Sequence, residues 1–80
     1  MEERIRSAAL KIPQVKEVLG LKILHIGSEK LLVNLDVHLQ HDLETSEIEK
    51  LVDKIKENIK KEIPQVKHIQ VELEHNIDKV

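Results

Sequence analysis

Four side chains with metal-ligating chemistry occur as two pairs, each spaced by two residues. Asp36 and His38 alternate along the run LLVNLDVHLQH, and Glu72 and Glu74 along VKHIQVELEH. A spacing of two places both members of a pair on one face of a strand. With the two strands side by side, four oxygen or imidazole donors converge, a set suited to a divalent cation. Zinc accepts His and carboxylate ligands, and harder ions accept carboxylates. Spacing alone leaves a plainer reading open, in which the four are solvated residues of an amphipathic sheet. Lys22 bears on both readings, because it is expected on the same face and could neutralise a carboxylate in place of a metal. His25, His41, His68 and His75 lie near strand ends and read as surface polar residues.

Other chemistries lack their residues. There is no cysteine, which removes thiolate metal sites and disulfides. Two glycines, Gly20 and Gly27, cannot build a phosphate-cradling loop. Ser7, Ser28 and Ser46 stand in no nucleophile-elbow or triad context. The expectation is a binding domain and not an enzyme.

The elements that must position these groups are marked by a repeated word. Both prolines of the chain sit in IPQVK, at 12–16 and again at 63–67. Each copy follows a helical pattern and precedes a run rich in Val, Ile and Leu. Proline lacks an N–H and biases the preceding residue away from the helical region, so the word marks a helix-to-strand corner both times. Ile5, Ala8, Ala9 and Ile12 line one face of a first helix. Two strands follow, with Leu19, Leu21 and Ile23 expected on one side of the first and Val18, Lys22, Leu24 and Ile26 on the other. A turn at Gly27-Ser28-Glu29-Lys30 joins them as an antiparallel hairpin. Ser46-x-x-Glu49 reads as the capping box of a long helix carrying Ile48, Leu51, Val52, Ile55 and Ile59. The last strand returns by a βαβ crossover and should lie parallel to the second.

The order αββαβ predicts an α+β fold over residues 1–80: a three-stranded mixed sheet with two helices on one face, a ferredoxin-like half-sandwich lacking its first strand. The other sheet face has no cover within the chain. Val18, Leu24, Ile26 and Leu32 are expected there, beside Lys22, and an apolar patch of this kind marks an interface. A homodimer through that face is the expectation.

Bulk composition agrees with a small domain that needs a partner. The chain has 80 residues and no Phe, Tyr or Trp, so its core is aliphatic and thin. With 35% charged residues and a net charge of −2 it has neither a basic stripe nor an aromatic stacking platform for nucleic acid. No apolar run is long enough to span a bilayer and no leader pattern is present. The chain is expected to be soluble and intracellular, without direct membrane insertion.

From about Ile5 to His75 the sequence resembles the C-terminal cytosolic domain of cation diffusion facilitator transporters. The resemblance is carried by Val15-x-x-Val18-x-x-Leu21 leading to a single glycine at the hairpin, by the alternating strand followed by Asp42-Leu43 and an acidic helix start, and by P-x-V-x-x-I-x-V-E-x-E from Pro64 to Glu74. It implies a metallochaperone-like αββαβ domain that dimerises below a six-helix membrane part. It also implies zinc or another divalent cation at the dimer interface as the regulatory signal, and a place on the cytoplasmic side. A strand position often held by a ligand His is Asp36 here, and a last-strand His-x-Asp/Glu pair corresponds to Glu72 and Glu74. A helix position able to supply a ligand from the facing protomer is Glu49, and a first-strand ligand position falls at Lys22. No His stands at any of these, so the implied site is an all-carboxylate one, harder than the usual zinc site. Without a membrane span the chain moves no ion itself, as either an excised domain or a stand-alone relative. Two alternatives remain beside this reading. One is a structural dimerisation module that binds no metal, with Lys22 supplying the balancing charge. The other is a small-ligand sensor domain of the same topology.

Overall fold

The computed structural model describes residues 1–74; His75 lies outside them. Helix α1 spans Glu2–Leu10, strand β1 Val15–Gly27, β2 Lys30–Leu39, helix α2 Thr45–Glu62 and β3 Val66–Leu73. The sheet order is β1-β2-β3, antiparallel between β1 and β2 and parallel between β2 and β3. Both helices pack on one sheet face: α1 against β1 and α2, and α2 against β3. The fold is therefore the expected three-stranded half-sandwich, ferredoxin-like in its arrangement.

The two IPQVK corners adopt the same turn. Val15 donates its N–H to the Ile12 carbonyl at 3.0 Å, and Val66 donates to Ile63 at 3.0 Å. Proline thus occupies the second position of a hydrogen-bonded turn, where its fixed φ is favourable. Ile12, Val15, Ile63 and Val66 are all buried, so each corner pins its own helix-to-strand junction into the core. The glutamine carbonyls of the corners then accept from opposite ends of β2, Gln14 from the Gln40 N–H at 2.8 Å and Gln65 from the Leu31 N–H at 3.0 Å. One repeated word brackets the central strand.

Val33, Leu35 and Val37 of β2 are fully buried beneath Ile5, Ala9, Ile55 and Ile59, and among the described residues no polar residue is buried. Packing is wholly aliphatic, each such side chain contributing about 1.5–3 kcal/mol on burial. Arg4 ties the helices together through Nη2 to the Glu62 carbonyl at 2.7 Å, and Asn58 Nδ2 donates to the Ala8 carbonyl at 3.3 Å.

Three details depart from the sequence reading. Strand β1 has 13 residues against 10 in β2, and three register shifts absorb the surplus, between Val15 and Glu17, Val18 and Gly20, and His25 and Gly27. An extra residue flips the face of everything beyond it. Val18 therefore faces the core, 7% exposed, and does not belong to the open face, whereas Leu19 is 50% exposed. The second correction is the start of α2. Its capping box is Glu44-x-x-Glu47, with the Glu44 N–H donating to Glu47 Oε1 at 2.9 Å, and Ser46 lies inside the first turn. Third, the hairpin turn places Glu29 at φ 59°, a left-handed conformation taken without glycine.

Candidate metal centre

Asp36 sits mid-strand in β2 on the face away from the helices. Its neighbours in register are Gly20 of β1 and Glu72 of β3. Glu74 follows Glu72 on the same face, and its N–H donates to the Val37 carbonyl at 2.9 Å, which carries the parallel ladder one step past the end of β3. Asp36, Glu72 and Glu74 each bring one carboxylate oxygen within 4.8 Å of the others. Asp36 is half-buried and the two glutamates are exposed. Like charges at this separation repel by about 1 kcal/mol per pair in bulk water, and by more where solvent is excluded. Among the described residues the one ion pair is Arg4–Glu62, so no basic side chain is in direct contact with the three carboxylates.

Gly20 and Asn34 complete the surroundings. A hollow of about 320 Å³ is lined by Gly20, Leu21, Lys22, Asn34, Asp36 and Glu72. Lys22 stands opposite Asn34 in register and reaches this hollow without pairing to either carboxylate. Asn34 Oδ1 is buried and receives no hydrogen bond from the protein, an uncommon condition for a buried polar atom. At Gly20, a Cβ would stand 3.1 Å from Asp36 Oδ2, so the absent side chain is what lets the carboxylate lie across β1. The sequence reading singled out neither residue. A glycine inside a strand is nevertheless a recognisable sign of close approach.

The donor set fits a divalent cation: three carboxylates in reach of one another and, among the described residues, no competing ion pair. Oxygen donors alone suit hard ions best and zinc acceptably. The structure does not bring the remaining candidates into this group. Glu49 is an exposed residue of α2 and His38, though half-buried on β2, lines a separate hollow with His41. Leu24 and Ile26 are 51% and 47% exposed, and Leu32 is half-buried opposite Leu24, which leaves an apolar strip beside Lys22 on the uncovered face. His25 and His68 are exposed surface residues.

Fold and site together define a small, open-faced ferredoxin-like domain with a carboxylate cluster on its uncovered sheet. Residues 1–76 match the profile of the cation efflux protein, cytoplasmic domain, and the chain belongs to that family, a cytoplasmic domain with a dimerising role. Among solved structures, it is similar to a nickel form of a MamM CTD variant at TM-score 0.84 and 17% identity, covering 94% of each chain. A cadmium form gives 0.84 and 16%, covering 94% of this chain and 92% of that one. A copper form gives 0.82 and 16%, covering 91% and 90%. Identities this low speak for the fold alone. Comparison with curated protein sequences returned no match. No helix of the described residues is long and apolar enough to cross a membrane.

Proposed function

We propose that this domain pairs with a second copy through its uncovered sheet face and that a divalent cation, zinc in the first instance, favours the paired state by binding Asp36, Glu72 and Glu74. The observation that carries the reading is the three carboxylates within 4.8 Å of one another with no basic partner among the described residues. Placed on an interface, two such clusters repel, and a bound cation removes that repulsion. An ion that binds only the paired arrangement stabilises it by mass action. The role is regulatory: the domain reports the cytoplasmic level of the ion to the membrane part of an efflux transporter, for which that ion is cargo. It performs no catalysis. Glu49 enters this scheme only from the partner copy, since its own chain holds it on the helical layer. The metal forms of MamM CTD variants support cation binding on this fold without fixing the ion for this chain.

Calorimetric titration of chelator-treated protein with Zn²⁺, beside sedimentation analysis with and without the ion, tests the proposal. Saturable binding at micromolar affinity or better, about −8 kcal/mol, with a shift toward dimer, is the expected result. A dimer equally stable in chelator and in Zn²⁺ would leave Lys22, which lines the same hollow, as the balancing charge of a metal-free module.

A further inference from the structure

We infer that His38 and His41 form a second cation site at the exit of β2, distinct from the carboxylate cluster and selective for borderline ions such as Cu²⁺, Ni²⁺ or Zn²⁺. The two rings meet edge to face, with centroids 6.2 Å apart and planes at 88°. Both line a hollow of about 210 Å³ whose rim also carries Asp42 and Glu74, though neither carboxylate is gathered within 4.8 Å of both rings, and whose apolar wall is Leu43, Ile48 and Leu73. Two imidazoles sharing one ion at a metal–nitrogen distance of about 2.1 Å hold their ring centroids about 5–6 Å apart. The observed separation lies just beyond that range, and because the rings meet edge to face, both must turn a nitrogen into the hollow to share an ion.

The backbone between the ligands is fixed. His38 is anchored in the β2 ladder opposite Glu17, and the Gln40 N–H donates to the Gln14 carbonyl at 2.8 Å. Two nitrogens with one or two carboxylates match the mixed donor sets of zinc and copper sites, and disfavour the all-oxygen requirement of Mg²⁺ or Ca²⁺. The chain thus carries a nitrogen-containing site beside an oxygen-only one. Glu74 lines both, so the two sites are coupled through a single side chain.

The test uses the Asp36→Asn, Glu72→Gln protein, in which the oxygen-only cluster is disabled while both imidazoles and Glu74 remain. Titration with Cu²⁺ should give one equivalent whose electron paramagnetic resonance spectrum shows coupling to two imidazole nitrogens. His38→Gln and His41→Asn, conservative changes at a strand surface and a loop, should each weaken Cu²⁺ binding at least tenfold with circular dichroism unchanged. A spectrum with oxygen ligands only overturns the site. So does a spectrum that survives both substitutions and disappears on His25→Gln or His68→Gln. Because the carboxylate cluster is absent from this protein, its own failure to bind zinc in the parent chain would leave the result intact.

Discussion

Asp36 lays its carboxylate against the backbone of Gly20 on the neighbouring strand, so closely that a Cβ there would lie 3.1 Å from Oδ2. Gly20 is paired with Asp36 in register immediately after a β-bulge, and its φ is negative, so space rather than conformational freedom is what the position requires. The prediction is that Gly20→Ala displaces the carboxylate by a few tenths of an ångström while leaving the strand intact. Zinc affinity should fall about three- to tenfold, up to about 1.4 kcal/mol, with the melting temperature held or slightly raised because alanine orders a strand at lower entropic cost. Calorimetry and thermal denaturation on the same sample check both halves. Unchanged affinity would mean that Asp36 holds no ion in this orientation.

Val18 and Leu24 separate the core from the open face. Val18 is 7% exposed among aliphatic neighbours, whereas Leu24 is 51% exposed on the uncovered sheet. Val18→Ala should cost about 2 kcal/mol of folding stability through the cavity it leaves, and Val18→Asp should prevent folding by burying an unpaired charge. Leu24→Asp should leave the urea midpoint of dilute, monomeric protein nearly unchanged and weaken dimerisation at least tenfold by sedimentation. Equal dimer affinity in Leu24→Asp would place the interface elsewhere.

The bulge that turns Val18 inward has a side-chain partner. Arg6 Nη1 donates to the Val18 carbonyl at 3.1 Å, joining α1 to the point where the ladder shifts register. Arg6→Ala should cost about 1.5–3 kcal/mol, the usual worth of a hydrogen bond from a charged donor, and should speed hydrogen exchange selectively in residues 17–20. Arg6→Lys should restore part of the loss. A stability change without local exchange at the bulge would indicate that Arg6 acts by packing.

These residues also show where the sequence was legible. The helix-to-strand corners were readable because proline's geometry is local, and β2 was readable because Leu31, Val33, Leu35 and Val37 alternate without interruption. That β3 lies parallel beside β2 followed from the crossover, whereas the register that sets Asp36 opposite Glu72 is visible only in the structure. Val18 and Leu19 were misplaced because alternation holds only while one residue faces one, and the bulge has no local mark in the sequence; its side-chain contact comes from Arg6 on another element. The helix start was ambiguous for another reason: Glu44-x-x-Glu47 and Ser46-x-x-Glu49 are overlapping boxes, and the stronger cap by residue type lost to the one that lengthens α2. Glu49 and Lys22 concern a second copy or a balance of charge, neither of which a single chain's pattern encodes.

Charge at the cluster yields a prediction whose sign depends on the ion. Asp36, Glu72 and Glu74 lie together without a basic partner among the described residues, so in chelator the Asp36→Asn, Glu72→Gln protein should dimerise more tightly than the parent, because mutual repulsion is relieved. In saturating Zn²⁺ the order should reverse, since the parent gains the linkage stabilisation and the variant does not. High salt should shrink the difference seen in chelator, as screening removes what the substitutions remove. Sedimentation equilibrium in chelator, in Zn²⁺ and in chelator with salt gives all three comparisons. If Lys22 already balances the carboxylates across the interface, the variant should instead dimerise more weakly in chelator, because an opposite charge has lost its partner. The sign of that one difference separates a cation-controlled interface from one that carries its own counter-ion.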